Sequence, residues 1–412
     1  MKLVNKSIRG VKKRSSGGEY LLAFGVAILI LTALCCNTRK GESQTSEKTV
    51  EKELAKVQEA PDTEVSSVDD FLLENITAGQ TESFLLTSPY VRGDREYLFR
   101  KHLYIEQLFA SLRETAKGES DSDREGRLRI LTKEGKSYSI PFGWKYPNAS
   151  TLLWIGNAQT VPKEELKRLF TVLATHLEHR AGVPPYGDLT TQVNENDCLF
   201  LDTAGLWNAA SQAYKELLAT KDPKALRGDL KSLTEAMFIY RRLVEVLTQS
   251  GQFESALRYI DEYERLTSGV DFMIKDEEET VEKYFAACAQ WDRAEVYRAM
   301  KEYDKAIVIY KERMNQMKGL PIASFKSPIK RDGMRFADAT FNNLIGYCLQ
   351  LKGDYDGAVS YYSAILRKWT ERKILTLETQ SEREVAHRFL INVRQQIKEC
   401  QTKKADHGQS KK

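Results

Sequence analysis

Residues 342–369 constrain the fold more than any other stretch. Leu344, Ile345, Tyr347, Cys348 and Leu351 fall at helical spacing, and a second set begins after Lys352-Gly353-Asp354 with Tyr355, Ala358, Val359, Tyr362 and Leu366. The pattern predicts two antiparallel helices joined by a tight turn. Gly353 suits the left-handed residue that ends the first helix, and Asp354 suits the cap of the second. Gly346 and Ala358 are small at the expected crossing, with Tyr355 and Tyr362 large on either side.

The same arrangement recurs when it is counted from the aromatic that opens the second helix. Tyr355 has Gly346 nine before, Leu349 six before, Gly353 two before, Ala358 three after and Tyr362 seven after. Phe253 has Val244, Leu247, Gly251, Ala256 and Ile260 at those places, and Tyr303 has Ala294, Tyr297, Lys301, Ala306 and Tyr310. Trp207 has Cys198, Leu201, Gly205, Ala210 and Tyr214, followed by Pro223. These residues resemble the tetratricopeptide repeat, which implies a helical solenoid over residues 194–401. The anchors lie 46, 50 and 52 residues apart, where the family usually has 34. Added segments must lengthen the units. Asp276–Met300 reads as one long helix, Gly319–Gly333 as a loop, and Glu382–Cys400 as a helix that caps the last repeat, with residues 402–412 a disordered tail.

By the phase of that family, the first helix of each unit faces a concave groove. The resemblance places Arg241, Glu245, Trp291, Glu295, Arg298, Asn343, Tyr347 and Gln350 there. An aromatic anchor among charged and amide side chains implies an extended peptide or a partner helix as ligand. Trp291 also fits a core position between units, and the charged residues also fit a solvated face. The basic-and-Asn clamp with which some members hold a C-terminal carboxylate is not reproduced at these positions.

Residues 1–36 carry six basic residues before the first acid, Glu19, and then an uncharged run, Tyr20–Cys36. This is the anatomy of an export signal or membrane anchor with the chain beyond it exported. Cys35 or Cys36 is a candidate lipid acceptor of a bacterial lipoprotein, since Leu31-Thr32-Ala33-Leu34-Cys35 resembles that signal; an uncleaved anchor and a fully cleaved signal are the other readings. Residues 37–68 are polar and charged and read as a disordered tether. Taking the six leading cations from 62 Lys and Arg leaves 56 against 58 Asp and Glu. A near-neutral body gives no electrostatic footprint for nucleic acid.

Residues 84–185 read as a small α+β domain. A helix is expected over Arg95–Thr115, a hairpin from Leu128–Leu131 and Ser137–Phe142 around Glu134-Gly135-Lys136, a strand at Thr151–Ile155, and a helix at Pro162–Arg180 with its Pro in the first turn. The closing strand and helix, residues 151–180, look like the end of a GAF-type sensor domain, which implies a small-ligand site. The fold class expected is therefore mainly α, a TPR-like solenoid preceded by a small α+β domain, an N-terminal anchor and a tether.

The motifs of common chemistry point to solvated side chains. His176 and His179, one helical turn apart, suit the last turn of a helix. Asp121 and Asp123 lack the Gly and distal Glu of a calcium loop. Cys198 and Cys348 occupy core slots, and Cys198, Cys288, Cys348 and Cys400 are expected unpaired. No catalytic, cofactor or metal residues are assigned. The expected function is a non-catalytic, membrane-tethered interaction scaffold on the exported side of the bacterial cell envelope. A sensory protein whose GAF-like domain binds a ligand and relays its state to the repeats is the alternative.

Overall fold

The computed structural model describes residues 55, 59–65, 67–88, 95–113, 115–117, 124–144, 152–156, 160–179, 191–273, 280–318 and 328–409. The anchor, Cys35 and Cys36, most of the tether, and Asp121 and Asp123 lie outside these, as do the side chains of His176 and His179. Among the described residues no helix is long and apolar enough to cross a membrane.

The N-terminal part is built on one mixed sheet. Its strands are β1 (Asp62–Glu64), β2 (Thr81–Ser88), β3 (Arg95–Phe99), β5 (Arg124–Thr132), β6 (Ser137–Trp144) and β7 (Leu152–Ile155), with β4 (Thr115–Lys117) and β8 (Thr160–Pro162) forming a separate antiparallel pair. The order is β1-β6-β5-β2-β3, and β1 and β7 share one edge of β6, β1 in parallel and β7 antiparallel. The expected hairpin is β5–β6, with Leu128 opposite Ile140 and Gly135 at φ 84° in its turn. Three helices pack on the sheet: α1 (Val68–Leu73), α2 (His102–Leu112) and α3 (Glu164–His179). Phe142 meets Phe170 edge-on at 5.3 Å, Phe99 meets Tyr104 at 5.8 Å, and Phe71 meets Phe109 at 5.8 Å.

Four expectations for this region are corrected. Arg95–Phe99 is a strand paired with β2, and the helix begins only at His102. The sheet reaches back to Asp62, inside the stretch read as tether, and Val65 and Val68 are buried in its core. Pro162 ends a strand, and the helix after it starts at Glu164. The sheet also carries more strands than the three expected.

The rest of the described chain is helical: α4 (Glu195–Thr203), α5 (Trp207–Ala219), α6 (Pro223–Gly228), α7 (Leu230–Gln249), α8 (Phe253–Thr267), α9 (Val281–Ala299), α10 (Tyr303–Met317), α11 (Pro328–Lys352), α12 (Tyr355–Lys368), α13 (Glu371–Ile374) and α14 (Gln380–Gln409). Each of the four repeat anchors opens a helix, since α5, α8, α10 and α12 begin at Trp207, Phe253, Tyr303 and Tyr355. The residue two before each anchor is left-handed, with φ 71° at Gly205, 76° at Gly251, 64° at Lys301 and 89° at Gly353. The reversal after each first helix thus depends on one backbone conformation, which a glycine adopts without strain and Lys301 adopts with it. Ala210, Ala256, Ala306 and Ala358 are fully buried where the two helices of a pair meet. A Cβ on Gly346 would stand 2.6 Å from Cε1 of Tyr362, so this crossing admits only glycine without movement of the ring.

The long first helix expected over Asp276–Met300 runs Val281–Ala299, capped by Thr280, whose hydroxyl accepts from the Lys283 N–H. Pro328–Gly333, read as loop, is the first part of α11, with the proline at the position where its missing N–H costs nothing. The last helix continues to Gln409, through residues read as a disordered tail. Lys404 on α14 pairs with Asp356 at the start of α12 at 2.6 Å, as Lys352 on α11 pairs with Asp304 at the start of α10 at 2.7 Å. α14 therefore lies on α12 as α11 lies on α10, in the place of one more first helix.

Candidate partner-binding seam

The eight side chains assigned to the groove sit on three first helices: Arg241 and Glu245 on α7, Trp291, Glu295 and Arg298 on α9, and Asn343, Tyr347 and Gln350 on α11. They repeat at twelve, eight and five residues before the anchors. On a helix these spacings share one face.

Contacts across the helices join this face into a seam. Arg241 donates to both oxygens of Asp292, Nε to Oδ2 at 3.0 Å and Nη2 to Oδ1 at 3.1 Å, which ties α7 to α9. The guanidinium of Arg298 lies 5.9 Å from the ring centroid of Tyr347, which reaches from α9 to α11. Trp291 packs edge-on against Tyr310 at 6.1 Å and Phe341 at 6.0 Å. It is therefore a partly buried wedge between units as well as a seam residue.

A tyrosine hydroxyl supports the seam from beneath in every unit. Tyr214 donates to Asp202 at 3.2 Å, Tyr263 to Asp292 at 2.8 Å, Tyr310 to Glu295 at 2.5 Å and Tyr362 to Gln350 at 3.0 Å. Three of these tyrosines stand seven residues after an anchor. In the second unit that place holds Ile260, and Tyr263, one helical turn further, supplies the hydroxyl. Burial first, and then the neighbouring Asp292 or Glu295 carboxylate, pushes the phenols of Tyr263 and Tyr310 above their ordinary value, so both act as donors.

The charged residues of the seam are mutually paired. Glu295 accepts from Arg298 at 3.0 Å, and Glu245 accepts from Nη1 of the neighbouring Arg242 at 2.8 Å. Arg242 in turn donates through Nε to Asp202 on α4 at 3.0 Å, a contact that extends the seam back to the first unit. Desolvation raises the Glu245 carboxyl; Arg242 opposes the shift, and Asp202 adds to it. Asn343 is 4% exposed, and its side-chain oxygen has no hydrogen-bond partner in the structure. Gln350 is also buried.

The residue phase did not assign Asp202, Arg242 or Asp292 to this surface. A signal exists, because Arg242 and Asp292 occupy the same place eleven before their anchors. They point sideways to the neighbouring unit, and each completes a pair with an opposite charge one unit away.

In the α+β part, a shallow open depression lined by Thr77, Ala78, Glu106, Phe109, Ala110 and Arg113 lies beside α2. No protein-family model matches the chain, and no curated protein is similar to it in sequence.

Proposed function

We propose that the chain is a non-catalytic, membrane-tethered interaction protein of the bacterial cell envelope, in which stacked TPR-like helix pairs form a solenoid and the seam receives a partner protein. The observation that carries this reading is the seam itself, a strip of half-exposed aromatic and paired charged side chains repeated at one phase on successive helices, with the amides Asn343 and Gln350 buried beneath it. The cross-helix pairs Arg241–Asp292 and Arg242–Asp202 and the contact of Arg298 with Tyr347 hold this strip in a fixed arrangement, which lowers the ordering cost of receiving a partner. Arginine over tyrosine beside a partly buried tryptophan is the composition of a binding hot spot. Export, and the tether through residues 1–36 with Cys35 or Cys36 as lipid acceptor, follow from the basic and apolar order of that segment.

The test is crosslinking capture from native membranes with the intact protein and with a Tyr347→Ala, Arg298→Ala variant. Trp291 is left in place, because truncating a side chain wedged against Tyr310 and Phe341 opens a cavity. Circular dichroism checks the fold of the variant. A protein enriched by the wild type and lost from the variant supports the seam as the binding surface. Recovery of the same proteins with both forms refutes it.

A further inference from the structure

The helix α4 is nine residues long and carries two carboxylates with almost no exposed side-chain surface, Asp197 at 0% and Asp202 at 6%. They are five residues apart, so they point about 140° from each other around the helix. Each is fixed to a different part of the molecule.

Asp197 is bound to the α+β part. Its Oδ2 lies 2.5 Å from Nζ of Lys101, which is itself 3% exposed and stands at the N-cap of α2. Its Oδ1 accepts from the Tyr104 hydroxyl at 3.0 Å, and Oδ2 also accepts from the Asn194 N–H at 2.8 Å, which closes the capping box of α4. Asp202 is bound to the seam. It accepts from the Tyr214 hydroxyl on α5 and from Nε and Nη2 of Arg242 on α7, and Arg242 holds Glu245.

A buried ion pair adds little net stability against an apolar replacement but is costly to break on one side, so it fixes geometry more than it adds strength. The buried pair at Asp197 and the half-buried pair at Asp202, on one helix of nine residues, make its position depend on both neighbours. We propose that α4 is a coupling lever through which the α+β part sets the position of Arg242 and Glu245 at the head of the seam. Displacement of Lys101 or Tyr104, by a ligand on the α+β part or by force on the tether, then moves α4 and loosens the first charged rung of the binding surface. This deepens the interaction reading and rests on it: it gives that seam a control point.

Hydrogen exchange on the full chain in detergent tests the coupling, comparing wild type with Lys101→Met and with a control, His102→Ala. His102 lies at the same interface but is largely exposed, 3.1 Å from Glu216. The expected result is exchange of amides in residues 239–249 of α7 that speeds at least tenfold more than that of the slowest amides of β5 and β6 in Lys101→Met, and no change there in His102→Ala. Faster exchange confined to α2 and the start of α4 overturns the proposal, as does an equal response to both variants. If Lys101→Met loses protection throughout the sheet, Tyr104→Phe, which removes only the hydroxyl contact to Asp197, is read in the same segment against the same two outcomes. Exchange is read with no binding protein present, so failure here leaves the capture experiment on Tyr347 and Arg298 unaffected, and failure there removes the binding role of the seam while the exchange result still reports whether α4 links the two parts.

Discussion

At the scale of single residues, the left-handed turn position and one carboxylate give measurable consequences. Lys301 has φ 64° at the place where the other three units use glycine. A side chain in that region costs about 1–2 kcal/mol, partly offset by the extra freedom glycine has in the unfolded chain. Lys301 is exposed, and its backbone N–H donates to the Arg298 carbonyl at 3.1 Å in the turn. Lys301→Gly is therefore expected to stabilise the protein by about 1 kcal/mol, read as a higher urea midpoint at unchanged slope. An unchanged or lower midpoint contradicts the strain assigned to this turn. Glu245 gives a pH signature. Its carboxyl is raised in the folded state by desolvation, so the folded protein holds that proton more tightly than the unfolded chain does. The charged form thus works against folding above its folded pKa, and the penalty fades as pH falls through that value. Glu245→Gln keeps an acceptor for Arg242 and removes the charge. The variant is expected to match or exceed wild-type stability at pH 7, with the difference shrinking toward pH 4. A difference that grows on acidification excludes the desolvated state of Glu245.

At the scale of elements, what the sequence discloses depends on how local the determining contacts are. The helix pairs were legible because turn, cap and crossing residues lie within about twenty positions of one another: Gly353, Asp354 and Gly346 all do in the structure what their spacing implies. The strand β3 was not. Leu98, Ile105 and Leu108 fall at helical spacing, yet Leu98 belongs to a strand paired with β2, and both faces of β3 are covered, with Tyr97, Leu98 and Phe99 successively buried. A strand covered on both faces loses the alternation that betrays it. The candidate surface is legible only as a phase: the spacing on α7, α9 and α11 puts the eight residues on one helix face, but Asn343 and Gln350 are buried there instead of facing a groove, and the sideways pairs through Asp202, Arg242 and Asp292 depend on the offset between units, which no local spacing encodes. The last helix is open to a direct test. Phe389, Leu390, Val393 and Cys400 of α14 cover Phe336, Trp369 and Ile365, with Phe336 and Phe389 edge-on at 5.0 Å. A chain ended after Thr379 leaves that apolar surface in water. An apolar face left without its cover drives association, so this truncation is expected to aggregate or to lose the helicity of α12 as well, by sedimentation and circular dichroism. A soluble product that lacks only the signal of α14 contradicts the capping role.

At the scale of the whole molecule, the buried side chains divide the chain differently from its secondary structure. One apolar core runs without a break from Val65 in the sheet domain, through α2 and α3, to Val296 on α9, so the α+β part and the first two helix pairs share it. Two smaller cores follow in the helices, one joining α9 and α10 to Phe341, Ile345 and Cys348 of α11, the other joining α11 and α12 to α14, and a third small cluster of Leu85, Leu98 and Leu131 lies in the sheet. Elements that share one buried core open together, whereas elements held by separate cores can open apart. The sheet does not melt away from α4 and α5 in this scheme, because Asp197 and the common core bind them, whereas the C-terminal core is a separate cluster that meets its neighbour through α11. Native-state hydrogen exchange at increasing urea is therefore expected to give the slowest amides of β5, β6, α5 and α7 one common opening free energy, and those of α12 and α14 a separate, smaller one. If the sheet instead opens by itself at low urea while α5 and α7 stay closed, the α+β part is an independent domain. The coupling assigned to α4 then has no rigid body to act through.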